Sequence, residues 1–381
     1  MSQNLSQERR SRLFIEVNMN LQSWVFDIAQ GNYSIDLGDS NAPCKTVSQV
    51  AIQDDLHLDY GSDQGSLDLR EKISELYSAT SAEILVTHGA QEGLFLNYLY
   101  LLKPGDEVIL LTPGWPQAYE APKKLGARPI PITYLENGGL NLKALRESIT
   151  HKTKAIVINS PSNPTTAELT ASDFRALRDV IQGKDITVIF DDEYSVDLQK
   201  SYANQCPNSV SVSSLSKIYG LPGLRVGWVK ADPDHIQSLR ALKHLTTISN
   251  SVHCEKMALS ALNNKAAYQA QYQEMWETGR EILQTWAAQH PECFTQLHIS
   301  QAPFAWIQLA PTIQAVDFCK TILKEKSILL MPADVFDATQ HIRLTFVRDK
   351  QELTIALAHI SEVIASYLNP HKEHQLESEF C

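Results

Sequence analysis

One lysine, Lys217, sits in the run Ser214-Leu-Ser-Lys-Ile-Tyr-Gly-Leu-Pro-Gly-Leu-Arg-Val-Gly-Trp228, among hydroxyls, turn-forming residues and a following arginine. A solvated lysine needs no such company. One that bonds a carbonyl as a Schiff base does, because it needs donors for an anionic group and room for a flat ring. Three other segments carry complementary chemistry. Phe190-Asp-Asp-Glu-Tyr-Ser-Val-Asp197 follows an apolar run and offers carboxylates together with a phenol. Thr87-His-Gly-Ala-Gln91 reads as a strand-to-helix turn, where free N–H groups and the positive end of a helix favour an anion. Arg225 adds a bidentate charge for the same purpose, and Ser214 and Ser216 add hydroxyls. Arg343, in His341-Ile-Arg-Leu-Thr-Phe346, brings a planar fork suited to a carboxylate.

These residues must be carried to one place by the elements around them. From Glu83 onward short apolar runs alternate with amphipathic segments, the α/β pattern. Strands are expected at Ile84–Thr87, Glu107–Leu111, Lys154–Ile158, Ile186–Phe190, Val210–Ser213 and Arg225–Val229, with a helix from Ala90 through about Leu102. Most of the unusual motifs follow one of these strands. Ligands of open α/β sheets gather at the carboxyl ends of the strands, so the motifs converge on one crevice. After about Arg280 the pattern becomes α+β, with strands at Phe304–Gln308 and His341–Phe346 and a helix near Thr312 to Lys324.

The Ser-x-Ser-Lys and Gly-x-Arg-x-Gly elements around Lys217 resemble those of fold-type I enzymes dependent on pyridoxal 5'-phosphate (PLP), in the class I/II aminotransferase family. Asn159-Ser-Pro-Ser-Asn-Pro-Thr165 is similar to that family's Asn-Pro-Thr-Gly signature, except that Thr166 stands where glycine is usual, which puts the turn's geometry in question. Tyr60-Gly-Ser-Asp-Gln-Gly65 with Leu69 and Arg70 is similar to its Tyr-x4-Gly-x3-Leu-Arg segment.

The resemblance implies an aspartate aminotransferase-like fold: a large domain with a mainly parallel seven-stranded sheet, and a smaller α+β domain. Residues 1–45 would form an N-terminal segment and part of the small domain, 46–280 the cofactor domain, and 281–381 the rest of the small domain. It implies that Lys217 forms the Schiff base and then carries the α-proton, which requires a neutral amine; burial and cationic neighbours should lower its pKa. Asp191 would contact the ring nitrogen, with Asp192 the rival if the register slips by one. Tyr194 and Asn163 would meet the ring's phenolic oxygen, and Trp115 would stack on its face. Gly89, Ala90 and Gln91 would cradle the phosphate with Ser214, Ser216 and Arg225. Arg343 would take the substrate carboxylate near the backbone of Gly38, with Asn163 alongside. Tyr60 would reach the phosphate of a neighbouring subunit, which implies a homodimer with shared active sites.

Composition agrees with a folded enzyme of this size. The 381 residues suffice for two lobes, and 43% hydrophobic against 20% charged residues describes a globular chain. A net charge of −11 argues against nucleic acid as a partner. The absence of an apolar leader or of an apolar run of about 18 residues argues against secretion and membrane insertion, so the expected location is the cytoplasm. A regulator that fuses this fold to a DNA-binding domain finds too little chain ahead of the first motifs. Six cysteines and twelve histidines lack the close spacing of metal or redox centres, so no metal is expected.

The expected substrate is an α-amino acid. The loop Thr246–Ser251 has no arginine to receive a distal carboxylate, so a neutral or cationic side chain is favoured. Segments Thr87–Gly93 and Leu215–Trp228 are also similar to those of capreomycidine synthase, a PLP-dependent cyclase of a hydroxylated arginine. A cyclase or lyase of the capreomycidine or enduracididine type is therefore the alternative reaction. His57, His88 and Asp39 are candidates for accessory acid–base or cation-binding groups, His57 as part of the substrate site, each set against an ordinary loop role.

Overall fold

Alternating apolar residues along the strands define the layers of this computed structural model, which describes residues 20–50, 56–135 and 137–368. The chain's first residues, read above for an apolar leader, lie outside them. The first eight strands are β1 (Ile35–Asp36), β2 (Ile84–Thr87), β3 (Glu107–Thr112), β4 (Arg128–Thr133), β5 (Thr153–Asn159), β6 (Thr187–Asp191), β7 (Ser209–Ser214) and β8 (Gly227–Lys230). Seven of them form one sheet in the order β2-β8-β7-β6-β5-β3-β4. Strands β3 to β7 run parallel, and β8 is antiparallel to both neighbours. Val108 and Leu110 of β3 pack with Leu94 and Ile236 on one face, while Ile109 and Leu111 pack with Phe174 and Leu177 on the other. Helices thus cover both faces, as a mainly parallel sheet requires.

The remaining strands are β9 (Phe294–Ile299), β10 (Phe304–Leu309), β11 (Ile328–Leu329), β12 (Met331–Pro332) and β13 (His341–Thr345). Four of them make an antiparallel sheet in the order β12-β13-β10-β9. Residues 24–41 are bound to this part of the chain. Strand β1 pairs in parallel with β11, and the Trp24 indole donates to the Leu330 carbonyl at 2.9 Å. Arg348 donates to the carbonyls of Asp36 and Asn41 at 2.9 and 2.6 Å. Among the described residues no helix is long and apolar enough to cross a membrane.

Four details differ from the sequence expectation. Strand β4 was not anticipated, because Pro129 and Pro131 interrupt its apolar pattern; it lies at the sheet edge, where proline costs no ladder bond. Arg225 is not in a strand: it ends the 3-10 turn Pro222–Leu224 at φ +52°, and β8 starts at Gly227. The helix expected from Thr312 spans Ala315–Lys326. The expected boundary at residue 280 falls inside the continuous helix Lys265–Ala287, which packs on Lys350–Leu368 and on β9.

Close backbone packing decides one position near the cleft. A Cβ on Gly227 would lie 2.5 Å from the Gly89 carbonyl carbon and 2.6 Å from the Ala90 nitrogen, both backbone atoms that cannot step aside. Gly227→Ala should therefore push the Gly89–Ala90 turn off β8, costing roughly 1–3 kcal/mol of stability. Denaturant unfolding checks this, and an unchanged midpoint would count against it.

Candidate active site

The chain leaves β5, β6 and β7 at their carboxyl ends, and the side chains that follow converge there on a cleft of about 190 Å³. Lys217, Asp191, Tyr194 and Asn163 line it, together with Trp115 and Arg225. Lys217 Nζ donates to Ser40 Oγ at 3.1 Å and Asn41 Oδ1 at 3.0 Å. Neither partner was picked out from the sequence, because Ser40 and Asn41 stand in a loop with no motif and reach the lysine only through the fold. The Trp115 indole donates to Gln91 Oε1 at 3.2 Å, which holds the ring against the cleft wall beside Ala90.

One end of the cleft is built for an anion. Gly89, at φ +75°, starts the helix Ala90–Leu101, and its left-handed backbone suits glycine. A Cβ there would lie 2.5 Å from Arg225 Nη2, so the guanidinium occupies the space that a side chain would need. Arg225 donates to the carbonyls of Pro222 at 3.0 Å and His88 at 3.4 Å. Ser216 lines the same cleft, and its N–H donates to Ser214 Oγ at 2.9 Å. The Ser214 hydroxyl in turn donates to Glu193 Oε2 at 3.1 Å.

The opposite end joins three distant segments. Arg343, buried at 3% exposure, donates to Asn163 Oδ1 and to the Gly38 carbonyl, each at 2.5 Å. Its guanidinium lies over the rings of Phe304 and Phe336 at 5.0 and 5.2 Å, and its Nε has no partner. Asn163 Nδ2 donates to the Tyr194 hydroxyl at 3.2 Å, and its own N–H donates to Asn159 Oδ1 at 2.7 Å. Asn159, also overlooked in the sequence, thereby sets the turn that presents Asn163. Thr166 takes φ +62°, the conformation for which glycine is usual at this position, so the departure in sequence is not a departure in turn geometry.

The remaining candidates do not line the cleft. Tyr60 is 81% exposed, and His57 is exposed as well; neither lines the cleft of its own chain. His88 pairs with Glu92 at 3.3 Å, outside the cleft. The Asp39 carboxylate is occupied by the Ser40 N–H and the Asn41 amide. Asp192 points away from Asp191 and accepts from Ser201 and Ser211 at 2.7 and 2.5 Å. Only Asp191 of the two faces the cleft.

Burial dominates the electrostatics. Asp191 is pushed up to about 8, first by burial and then by the neighbouring Glu193 carboxylate. Burial raises Asp192 to about 6 and also raises Glu193. Lys217 reverses the expectation of a lowered pKa: burial presses it down, but Tyr194, Glu193 and Asp39 outweigh that and hold the amine above its usual value. These acids have a sign for stability. Asp191 retains a proton in the folded chain that the unfolded chain has lost, so its stabilisation, complete below about pH 4, declines as pH rises through about 8. His235, lowered to about 4 by burial, works the opposite way only below its ordinary 6.5. From pH 6.5 to 8 the cofactor-free protein should lose about 2 kcal/mol, and Asp191→Asn should remove most of that slope. Urea unfolding at several pH values measures it, and an equal slope in the variant would contradict the assignment.

Residues 24–360 match the family model described as aminotransferase class I and II. Among similar proteins is an aspartate aminotransferase of Geobacillus stearothermophilus, 26% identical over 361 residues, covering 87% of this chain and 91% of that one. A capreomycidine synthase of Streptomyces vinaceus is 27% identical over 293 residues, covering 74% and 75%. The crystal structure of a PLP-dependent aminotransferase from Streptococcus suis superposes with a TM-score of 0.82 at 27% identity, covering 89% of this chain and 95% of that one. With a match that spans most of its length, and a mainly parallel sheet whose strand ends gather the motif residues, the chain belongs to the aminotransferase class I and II family.

Proposed function

We propose that this protein is a PLP-dependent aminotransferase that acts on an α-amino acid with a neutral or cationic side chain, and that Lys217 bonds the cofactor. The observation that supports it best is the cleft itself, in which Lys217 shares walls with Asp191, Tyr194, Asn163 and Arg225. The residues fit the cofactor. Asp191 is a buried carboxyl that gains a partner from a protonated ring nitrogen, and Arg225, Ser216 and the helix start at Gly89 offer donors for a phosphate.

When bound, PLP supplies an electron sink that acidifies the α-carbon. The protein's part is to hold groups and move protons. Asp191 would keep the ring nitrogen protonated, while Tyr194 and Asn163 would orient the ring through its phenolic oxygen. Lys217 would take and return the α-proton, for which its charge must first be relieved. Arg343 and Asn163 would receive the substrate carboxylate beside Gly38.

The side-chain preference rests on the loop Thr246–Ser251. It offers no arginine, and the hydroxyls of Thr246 and Thr247 are already spent on Glu92, at 3.2 and 2.6 Å. A second reading, cyclisation or elimination of a hydroxylated arginine-like substrate, is favoured by the similarity to capreomycidine synthase. A homodimer with shared sites, in the cytoplasm, completes the proposal. Leu58, Tyr60, Leu245 and Ile248 are large and exposed, and the segments that carry them are tied together by Asp63 accepting from Arg240 and pairing with His244. Such a surface suits a second copy of the chain.

Single-turnover reaction of the PLP-loaded enzyme with an amino-acid panel, without a keto-acid acceptor, separates the readings. One keto acid per site, with the cofactor left as pyridoxamine phosphate, is expected; many turnovers with a deaminated or dehydrated product would establish the second reading. A strong preference for aspartate would overturn the side-chain assignment. Lys217→Ala should abolish turnover and the lysine-bound chromophore, while Asp191→Ala should keep the linkage and lose roughly 10²–10³-fold in rate. Sedimentation should show a dimer. Tyr60→Phe should leave that dimer intact while weakening PLP binding about tenfold or more; unchanged affinity would remove Tyr60 from the site.

A further inference from the structure

Glu193 has no role in the arrangement described so far, yet it is buried in the middle of it. The residue is 8% exposed and lines the cofactor cleft beside Asp191 and Lys217. Its Oε2 accepts from Ser214, and its Oε1 is buried with no partner. It also lines a second cavity of about 420 Å³, shared with Ser214, Lys265 and Gln269, on the far side of the same wall. A carboxylate therefore stands at the end of the cleft where the hydroxyls and the guanidinium gather for an anion.

Two anions side by side in a buried site repel strongly unless one carries a proton. The Ser214 hydroxyl has a single proton, now given to Glu193; turned towards a phosphate, it leaves the carboxylate without its one donor. Resting on the PLP reading above, we propose that Glu193 is a proton-linked part of the phosphate-binding end, taking up a proton from solvent as the phosphate binds and then donating a hydrogen bond to that end. The second cavity gives the proton a route that does not cross the substrate side of the cleft.

The groups around Glu193 agree with this placement. From its own segment Asp191 and Tyr194 face it; from the loop after β7 come Lys217 and Tyr219, and from the turn before β8 comes Arg225. Asp197 and Lys265 share the second cavity with it. Lys217 and Arg225 favour the ionised form, but burial outweighs them and the carboxyl titrates above its usual range. Arg343 and Gly38, the proposed substrate end, are reached from the cleft through Asn163.

The test uses pyridoxamine 5'-phosphate, which carries the phosphate but has no aldehyde for Lys217. Its dissociation constant is measured by calorimetry across pH 6 to 9 for the wild-type protein and for Glu193→Gln, whose amide stays a permanent donor. The two should bind alike at the acid end. Wild-type affinity should then fall relative to the variant by roughly tenfold per pH unit wherever the carboxyl ionises. In buffers of different ionisation heat, the wild type should take up one more proton per molecule bound than Glu193→Gln. Glu193→Ala, which has no group to titrate, should show the variant's proton count and serves if the glutamine protein folds poorly. Parallel pH profiles and equal proton uptake would overturn the proposal while leaving the PLP reading intact. Failure of every protein, wild type included, to bind the ligand would overturn both.

Discussion

Three ionisable side chains, Asp191, Glu193 and Arg343, are buried along one seam between the large sheet and the four-stranded sheet, with Lys217 half-buried among them, and the rest of the site is arranged around the cost of keeping them dry. Each is handled differently. Asp191 and Glu193 are held towards their neutral forms by burial. Lys217 stays charged because Tyr194, Glu193 and Asp39 surround it, and its hydrogens go to Ser40 and Asn41. Arg343 is sandwiched between two aromatic rings and gives hydrogen bonds to neutral acceptors. The protein alone leaves these charges poorly matched, with a cation beside two carboxyls that burial discourages from ionising. A ligand that brings both a cationic ring nitrogen and an anionic phosphate complements that pattern, which is a physical reason for this fold to bind one.

The seam also explains why residues 35–41 meet residues 328–348. Ser40 and Asn41, which hold Lys217, follow directly on β1, and β1 is fixed by its pairing with β11 and by Arg348. The Thr345 hydroxyl donates to the Asp39 carbonyl, two residues from Arg343 on the same strand. Lysine and arginine are thus registered to each other through a short N-terminal bridge, although more than a hundred residues separate them in sequence. Asp36, whose carbonyl takes Arg348, belongs to this bridge without lining the cleft itself.

Much of this was legible in the sequence, for definable reasons. Parallel strands buried on both faces read as continuous apolar runs, and β3, β5 and β6 stand out as such. Motifs with fixed local spacing, such as Asn163-Pro164 and Ser214 to Lys217, also showed through, because their geometry is made within a single turn. What depended on distant contacts did not. Nothing local distinguishes Asn41 from any loop asparagine until β1 has paired with β11. Edge strand β4 was hidden by the prolines that its edge position tolerates. Glu193 was visible only as one acid in an acidic run, since its meaning lies in Ser214 at the end of the neighbouring strand.

The proposed substrate end ties the response to ligand to the contact between the large sheet and the residues around β1. Both terminal nitrogens of the Arg343 fork are engaged, one by Asn163 after β5 and the other by the Gly38 carbonyl after β1, and only Nε lacks a partner. A substrate carboxylate that took the fork would exchange neutral acceptors for a charged one, which strengthens each bond but requires the existing pair to loosen. Because those acceptors belong to segments on opposite sides of the seam, substrate recognition there would act directly on the contact between the sheet and the N-terminal bridge. The same Asn163 also holds the Tyr194 hydroxyl, so a shift at the carboxylate end would be felt by the group proposed to orient the cofactor ring. Binding and orientation would then be coupled through one amide side chain, without any large movement of the fold.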